Sequence, residues 1–283
     1  MTMHQIAVIG AGTMGNGIAQ VCAVAGFDVT LLDINDAALE RGLATVRKNL
    51  ERQVNKQTLS IELAEEAIGR IRCITDYAQL NDPQVVIEAA TENLDLKLRL
   101  LKQIAANVGA DCVIASNTSS LSITQLAASV DSPQRFIGLH FFNPVPMMGL
   151  IEVIRGLQTA DETHAAAIKL AERLNKTAIT AGNRPGFVVN RILVPMINEA
   201  ILVLQEGLAT AQDIDDGMRL GCNQPIGPLA LADLIGLDTL LAIVEAFHEG
   251  FNDSKYRPAP LLKEMVAAGY LGRKSGRGFF VYN

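Results

Sequence analysis

The feature that most constrains this chain is a glycine-rich turn close to its start. A short apolar run, residues 6–9, leads into Gly10-Ala11-Gly12-Thr13-Met14-Gly15, and an apolar stretch of helical period follows. Between a strand and a helix, the first glycine of G-x-G-x-x-G makes the turn, the second lets the backbone approach a pyrophosphate, and the third packs helix against strand. The N-terminus of that helix offers free N–H groups to phosphate oxygens. The pattern predicts a dinucleotide site on residues 10–15.

An acidic residue strengthens this prediction. A second apolar run, residues 29–32, ends at Asp33, which follows Gly15 by 18 residues. A carboxylate roughly 20 residues after the glycines suits the 2′-hydroxyl of an adenosine ribose. The glycine motif by itself also fits an ordinary turn. Together with Asp33, it predicts that the chain binds NAD.

The sequence alternates between predicted strands and helices up to about residue 181. The runs at 85–89, 113–116 and 136–140 are almost entirely apolar, as in strands of a parallel sheet that helices cover on both faces. The alternation predicts an α/β fold in which a Rossmann-type, doubly wound sheet occupies residues 1–182.

A linker and a second domain follow. Gly182-Asn183-Arg184-Pro185-Gly186 is typical of a linker because glycine and proline interrupt regular structure. The rest predicts an all-α domain over residues 185–283, with helices near 188–206, 211–220, 228–250 and 260–268. A domain this small and this apolar predicts a homodimer, since a second copy would cover its apolar surface.

Composition narrows the classes of partner. The net charge of −6 disfavours nucleic acid and anionic membranes, and no apolar run reaches the roughly 18 residues of a membrane span. The chain leads almost directly into a strand, so we expect no secretory signal. The four cysteines have no metal-ligand spacing and predict free, mostly buried thiols, no metal site and a cytoplasmic location. They are Cys22, Cys73, Cys112 and Cys222.

A histidine and a glutamate are the best candidates for proton chemistry. His140 ends a predicted strand, at the edge where open α/β sheets place their sites. Glu152 lies in another apolar strand, where an unpaired carboxylate is costly. If the two strands pair antiparallel across the proline-rich turn at 143–146, the two residues can face each other with Cβ atoms roughly 4.5–5.5 Å apart. Such a pair suits proton transfer to or from an alcohol. The alternatives are that His140 is a hydrogen-bonded histidine of the core and that Glu152 is a charge at the end of a strand.

Two polar segments are further candidates. Ser116-Asn117-Thr118-Ser119-Ser120 follows a strand directly, so it is either a set of helix N-caps or a hydrogen-bonding lip for cofactor and substrate. Asn190 lies in an apolar helix just past the linker, where a buried amide needs partners. We expect a cleft between the domains to supply them.

Charged residues give two more candidate groups. A basic stripe recurs every four residues along a long predicted helix, on one face, and is either a solvated surface or a site for the phosphates of a ligand. The stripe consists of Lys48, Arg52 and Lys56. Three charges at the end of the strand at 85–89 and after it include a candidate for the cofactor site, the rest being helix-end charges. They are Glu88, Glu92 and Lys97.

Taken together, these segments resemble the 3-hydroxyacyl-CoA dehydrogenases over essentially the whole chain, and most of all the stand-alone bacterial 3-hydroxybutyryl-CoA type. Besides residues 10–15, 33 and 116–120, the resemblance rests on Leu139-His140-Phe141-Phe142-Asn143-Pro144-Val145-Pro146, Ile151-Glu152-Val153 and Pro185-Gly186-Phe187-Val188-Val189-Asn190-Arg191. The H-F-F-N-P and P-G-F-x-x-N-R segments are highly specific. The resemblance implies an N-terminal Rossmann domain, a helical dimerising domain and a CoA thioester bound in the cleft.

The resemblance also implies residue roles. His140 would exchange the proton of the 3-hydroxyl group, and Glu152 would orient and polarise His140. Ser119 and Asn190 would position the thioester, and Asn143 would lie close to the catalytic pair and the cofactor. Implied cofactor contacts are Asp33, Glu92 and Lys97, with Asn117 added from the polar loop, and implied CoA-phosphate contacts are Arg52 and Lys56, with Lys48 added from the stripe.

Gly149 departs from the family pattern, because several relatives have a basic residue there. Gly272-Arg273-Lys274-Ser275-Gly276 matches that pattern but suggests no role. The sequence therefore predicts an NAD-dependent (S)-3-hydroxyacyl-CoA dehydrogenase of short-chain substrates. One alternative is a dehydrogenase of a free hydroxy acid, as in gulonate-oxidising relatives. Another is a non-catalytic NAD-binding protein on the same scaffold, as related lens crystallins imply.

Overall fold

The computed structural model describes residues 3–282, which divide into two compact units between Arg184 and Pro185. Within the described residues, the first unit holds eight strands and six α-helices. The strands are β1 (Gln5–Ile9), β2 (Asp28–Leu32), β3 (Ile71–Ile74), β4 (Val85–Glu88), β5 (Val113–Ser116), β6 (Phe136–Phe141), β7 (Leu150–Arg155) and β8 (Thr177–Gly182). The helices are α1 (Thr13–Val24), α2 (Asp36–Asn55), α3 (Ile61–Gly69), α4 (Leu94–Ala106), α5 (Ile123–Ala127) and α6 (Asp161–Arg173).

The strands form one mixed sheet in the order β3-β2-β1-β4-β5-β6-β7-β8. The first six strands in that order are parallel, whereas β7 runs antiparallel to β6 and β8 runs parallel to β7. The order 3-2-1-4-5-6 is that of doubly wound dinucleotide-binding sheets. The order reverses between β1 and β4, and such sheets bind ligands beside this point, at the carboxyl ends of the strands.

Apolar side chains explain why the central strands are buried. In β4 and β6 every residue is buried, as in parallel strands that helices cover on both faces. Two of these buried positions are nevertheless ionisable: Glu88 ends β4, and His140 is the penultimate residue of β6. Both therefore lie at the carboxyl edge of the parallel sheet.

The second unit is helical. Its helices are α7 (Val189–Gln205), α8 (Ala211–Asp216), α9 (Pro228–Ile235), α10 (Leu237–Phe251) and α11 (Pro260–Ala267). They enclose their own apolar core, in which Ile197, Leu229, Leu240 and Phe247 are almost fully buried. The structure confirms the predicted fold class, a Rossmann-type sheet followed by an all-α unit.

Three local expectations were incomplete or wrong. Strand β3 was missed because four residues directly after a helix give too short a pattern. The single helix expected over 228–250 is interrupted at Gly236, whose φ of +98° suits glycine and ends α9. The helix expected over 211–220 leaves α-helical geometry after Asp216 and continues as a π-helical turn, Gly217–Gly221.

The Gly272–Gly276 segment has a structural basis within the second unit. Asp233 is 1% exposed and accepts hydrogen bonds from the backbone N–H groups of Phe279 and Phe280. A Cβ at Gly272 would lie 2.3 Å from the Asp233 carbonyl oxygen. Lys274 donates to the carboxylate of Asp238. The segment therefore docks the end of the described chain on α9.

Asn183, in the predicted linker, belongs to the first unit. Its Oδ1 accepts a hydrogen bond from the Ile123 N–H, and its Nδ2 donates to the hydroxyls of Ser122 and Thr124. These bonds fix the chain to the start of α5 immediately before the second unit. No helix in residues 3–282 is long and apolar enough to cross a bilayer.

Candidate active site

The glycine-rich turn lies at the carboxyl end of β1, beside the reversal in strand order. Gly10 has a φ of +101°, and a Cβ there would lie 2.7 Å from the Ala90 Cα. A Cβ at Gly15 would lie 1.7 Å from the Gly10 carbonyl oxygen, so α1 can approach the turn only with glycine at that position. By contrast, nothing lies within 4 Å of a Cβ built on Gly12. The turn, the close packing and the open space are those that a pyrophosphate site requires.

The N-terminus of α1 completes this site. The helix begins at Thr13, with Gly12 as its N-cap, no side-chain cap and no acidic residue in its first turn. Thr13 is exposed and Met14 is half-buried. The first N–H groups of a helix have no partner within it, and they carry the positive end of its dipole. The residues present therefore fit the phosphates of NAD.

Asp33 is held at the carboxyl end of β2, against the glycine turn. Its Oδ2 accepts a hydrogen bond of 2.6 Å from the Ala11 N–H, and its Oδ1 accepts one of 2.7 Å from the Ile34 N–H. Tyr77, which the sequence analysis does not single out, lies nearby. Its burial, followed by the charges of Glu88 and Asp33, raises the pKa of Tyr77 to about 12. The phenol therefore stays protonated at neutral pH, and a lone tyrosine after a short edge strand gave no signal for it.

A buried cluster occupies the carboxyl end of β4. The Oε1 of Glu88 accepts a hydrogen bond from the Ala90 N–H at 2.9 Å. Its Oε2 accepts from Lys97 Nζ at 2.5 Å and from Ser116 Oγ at 2.7 Å. The side chains of Glu88 and Lys97 are 0% and 2% exposed. Lys97, expected at the cofactor, thus uses two of its three donors inside the protein, since Nζ also lies 3.3 Å from Ser116 Oγ.

Glu92 joins the loop after β4 to the loop after β5. Its Oε1 accepts hydrogen bonds from the N–H and the hydroxyl of Ser119, at 2.9 and 3.3 Å. Its Oε2 accepts one of 2.7 Å from Thr118 Oγ1. The structure therefore brings the expected cofactor residue Glu92 into contact with the expected substrate residue Ser119.

Asn117 connects β5 to the strand that carries His140. Its backbone N–H donates to the Glu88 carbonyl oxygen, and its Oδ1 accepts a hydrogen bond of 2.8 Å from the Phe141 N–H. Asn117 is only 8% exposed. The amide therefore fixes the backbone directly after His140.

His140 and Glu152 face each other across β6 and β7, as the proline-rich turn predicted. His140 Nδ1 lies 2.7 Å from Glu152 Oε2, and the two side chains are 8% and 0% exposed. With Nδ1–H donating to the carboxylate, the neutral ring has Nε2 as its acceptor nitrogen. The Phe142 ring packs against the imidazole, with 4.5 Å between centroids.

The loop between these strands is held by a lysine that the sequence analysis missed. Lys176 Nζ donates to the carbonyl oxygens of Val145 and Met148, at 2.8 and 2.6 Å. Burial lowers the pKa of Lys176. Asn143 lies at the start of this loop and is exposed. A lysine just before an edge strand resembles any surface charge, so only the structure identifies its partners.

Asn190 is the second residue of α7, in the second unit, and is half-buried. The segment around it has a local structural basis. Gly186 has a φ of +74°, and a Cβ there would lie 2.1 Å from the Phe247 ring. The Arg191 guanidinium lies 3.9 Å from the Phe251 ring centroid, within cation–π range.

Lys48 and Arg52 of the basic stripe lie on α2, Lys56 is the C-cap residue directly after it, and all three are exposed. Among residues 3–282, none of the three takes part in an ion pair. Arg52 lies roughly 25 Å along the helix axis from the start of α2, at 1.5 Å per residue. The structure therefore separates the stripe from the residues at the carboxyl edge of β2. In the described part of the chain, no three His, Cys, Asp or Glu side chains are placed to hold a metal ion.

Comparisons with known proteins agree with this geometry. The sequence model described as "3-hydroxyacyl-CoA dehydrogenase, NAD binding domain" matches residues 5–184, and the one described as "3-hydroxyacyl-CoA dehydrogenase, C-terminal domain" matches residues 186–282. The crystal structure of (S)-3-hydroxybutyryl-CoA dehydrogenase from Ralstonia eutropha is 59% identical, with a TM-score of 0.98 and full coverage of both chains.

Two curated relatives extend the match. The 3-hydroxybutyryl-CoA dehydrogenase of Bradyrhizobium diazoefficiens is 49% identical, covering 99% of this chain and 96% of the relative. That of Clostridioides difficile is 45% identical, covering 99% of both chains. This chain therefore belongs to the 3-hydroxyacyl-CoA dehydrogenases and is an NAD-dependent enzyme of that family.

Proposed function

We propose that the protein interconverts (S)-3-hydroxybutyryl-CoA and acetoacetyl-CoA, with His140 as the proton shuttle. The observation that carries this proposal is the 2.7 Å contact between His140 Nδ1 and Glu152 Oε2, both buried at the carboxyl edge of a dinucleotide-binding sheet. The names of three relatives, all 3-hydroxybutyryl-CoA dehydrogenases, support the substrate.

Residues 10–15 and Asp33 would hold NAD, which would supply hydride transfer at carbon 3 of the hydroxyacyl group in both directions. His140 handles the accompanying proton. In the oxidation direction Nε2 takes the proton of the 3-hydroxyl, and the carboxylate of Glu152 compensates the positive charge that develops on the ring. In the reduction direction the same nitrogen returns the proton to the carbonyl oxygen. The hydrogen bond at Nδ1 keeps the ring in one tautomer throughout.

Further polar residues position the substrate and cofactor. Ser119, held by Glu92, presents its hydroxyl to the thioester carbonyl. Asn190 also positions the thioester, as the resemblance to the family implies. Asn143, which lies close to His140 in the chain, contacts the cofactor. Asn117 and Lys97 also contact the cofactor. The glycine turn binds the pyrophosphate, and Asp33 binds the adenosine ribose.

The basic stripe binds the phosphates of CoA. Lys48, Arg52 and Lys56 are exposed cations without ion-pair partners in the described chain, on a protein whose net charge is −6. CoA carries a 3′-phosphate and a diphosphate, which Arg and Lys side chains bind readily. A dehydrogenase of a free hydroxy acid has no use for such a stripe.

The enzyme is a homodimer that associates through its second unit. That unit exposes several large apolar side chains, which a second copy would cover. They are Ile192, Leu208, Leu220 and Leu234. Sedimentation of the purified protein at two concentrations tests this, and a monomer at both would contradict it.

The compartment is the cytoplasm. The four cysteines carry free thiols, which suits reducing conditions. Burial raises the pKa of both the Cys22 and Cys112 thiols to about 12, so they stay protonated and unreactive at neutral pH. Cell fractionation tests this location, and recovery of the protein outside the cytoplasm would refute it.

NADH consumption by the purified protein tests the reaction. We expect the highest kcat/KM with acetoacetyl-CoA, lower values with longer 3-ketoacyl-CoA esters, and at least about a hundredfold lower value with free acetoacetate, because remote binding groups contribute to transition-state binding. Turnover of the free acid alone would overturn the proposal. A preference for longer esters would overturn only the assignment of chain length.

A further inference from the structure

Glu88 is a buried carboxylate that the proton-transfer step does not use. Its three donors come from three different elements: the turn after β4, helix α4 and strand β5. It lies at the carboxyl end of β4, which pairs directly with β1 where the strand order reverses. The single carboxylate therefore connects the elements that meet at the dinucleotide-binding edge.

Each donor leads to a part of the proposed site. Ala90 lies so close to Gly10 that a Cβ on the glycine would collide with its backbone. Lys97 reaches toward this edge from α4. Ser116 precedes Asn117, whose Oδ1 holds the backbone beside His140. A shift of the Glu88 carboxylate therefore displaces both the Ala90 backbone beside the glycine turn and the end of β5.

Stability alone does not explain this ion pair. Removing two charges from water costs several kcal/mol per ion, and well-packed apolar replacements of a buried pair are often neutral or stabilising. Glu88 and Lys97 lie among apolar strand and helix residues, at 0% and 2% side-chain exposure. An apolar pair would serve the core of the sheet equally well. What it would not supply is a fixed donor geometry around the end of β4.

We propose that Glu88 is a positioning residue for the dinucleotide, acting through Ala90, Lys97 and Ser116. The inference rests on the NAD-dependent function and on the placement of the cofactor at residues 10–15. It predicts that the carboxylate sets NADH affinity separately from its contribution to stability.

The experiment compares the single variants Glu88→Gln and Lys97→Met with the double variant Glu88→Gln/Lys97→Met. Each single change leaves a buried charge or a donor without its partner, so the thermal midpoint falls. The double change removes both charges, so the midpoint returns toward that of the wild type. NADH affinity, measured by calorimetry, should be at least about tenfold weaker in Glu88→Gln, which keeps Lys97, and should stay so in the double variant, because the charge-assisted bonds of the Glu88 carboxylate are gone.

A mild variant and a matched control complete the design. Ser116→Ala removes one donor and should weaken NADH binding by about threefold with little change in midpoint. Asp215→Asn neutralises another buried carboxylate, one that accepts the Leu229 and Ala230 N–H groups in the second unit. It should lower the midpoint but leave NADH affinity within about twofold.

Two results would overturn the inference: recovery of both midpoint and NADH affinity in the double variant, or wild-type affinity in Ser116→Ala. The Ser116→Ala measurement applies even if the charge variants fail to fold. Because NADH binding is measured without acyl substrate, failure here is distinct from failure of the proposed reaction. That reaction fails only if the wild type binds NADH but does not reduce acetoacetyl-CoA.

Discussion

Two buried glutamates lie at the working edge of the sheet, and their partners differ in kind. Glu88, on the dinucleotide side, faces the ammonium of Lys97, a hydroxyl and a backbone N–H. Glu152, on the proton side, faces the imidazole of His140. The Lys97 ammonium takes no part in the proposed proton transfer, whereas the imidazole of His140 gains and loses a proton in it.

The difference separates two tasks. When a carboxylate is paired with a permanent cation, its negative charge is balanced at every stage of a reaction. Its hydrogen-bond partners therefore keep their positions. A carboxylate beside a histidine is compensated by a full positive charge only while the ring is protonated, so it responds to each proton transfer. We therefore expect variants on the dinucleotide side to change NADH affinity, and variants on the proton side to change kcat.

The largest effect should come from the proton side. His140→Ala removes the proposed proton shuttle, and proton transfer by a positioned side chain contributes about 10²–10⁴-fold, so kcat should fall by that order. NADH affinity should stay within about twofold, because the dinucleotide contacts are intact. Steady-state kinetics and calorimetry check both. His164→Ala is the matched control. It removes a histidine whose Nε2 is hydrogen-bonded to Thr180 Oγ1, and it should keep wild-type kcat.

Glu152→Gln sharpens the same comparison. The amide keeps the shape of the side chain but gives no counter-charge to the protonated ring, so kcat should fall by about 10²-fold. NADH binding should not change. If Glu152→Gln weakened NADH binding while kcat stayed normal, the division between the two sides would be wrong.

The next effect belongs to the dinucleotide side. Gly12→Ala places a methyl group in open space, so the thermal midpoint should shift by less than about 3 °C. The same methyl group occupies the approach of the pyrophosphate, so the NADH dissociation constant should rise at least about tenfold. Gly69→Ala, at the end of α3 and also in open space, is the control and should bind NADH normally. A wild-type NADH dissociation constant in Gly12→Ala would show that the pyrophosphate binds elsewhere.

Asp33 should decide between cofactors. The carboxylate can accept a hydrogen bond from a ribose 2′-hydroxyl and repels a 2′-phosphate. The wild type should prefer NADH to NADPH, and Asp33→Ala should narrow the ratio of their kcat/KM values by about tenfold. Equal use of both cofactors by the wild type would refute the role of Asp33.

Much of the site at the carboxyl edge of the sheet could be predicted from the sequence, for physical reasons. The glycines at 10 and 15 are dictated by backbone geometry that leaves no room for a Cβ, and Gly12 leaves the open space that a pyrophosphate needs, so their pattern predicts the turn. The facing of His140 and Glu152 follows from the two-residue period of strands joined by a short connection. Local sequence patterns therefore predicted residues on both the dinucleotide side and the proton side.

The contacts that sequence reasoning could not predict involve distant partners. Lys176, which it missed, donates to carbonyls of Val145 and Met148, and Glu88, which it named only as one of three candidate charges, accepts from donors on three elements. Their chemistry depends on which strands become neighbours, and spacing along the chain does not encode that. Strand β3 was missed for a different reason, because four residues are too few to show a period.

The smallest effect should come from the basic stripe, which lies on neither side of the comparison. Its cations are exposed, so each contact should be worth about 1 kcal/mol or less and should weaken as salt shortens the screening length. Arg52→Ala/Lys56→Ala should raise KM for acetoacetyl-CoA several-fold at low salt.

The roughly 25 Å of helix between Arg52 and the start of α2 implies that this double change leaves kcat and NADH affinity unaltered. Lys102→Ala/Lys169→Ala removes two other exposed lysines of the first unit and controls for net charge. Thioesters without the nucleotide of CoA should be insensitive to both double changes, because they offer no phosphate. If those truncated thioesters lose as much affinity as the CoA ester, the stripe is an ordinary solvated helix face.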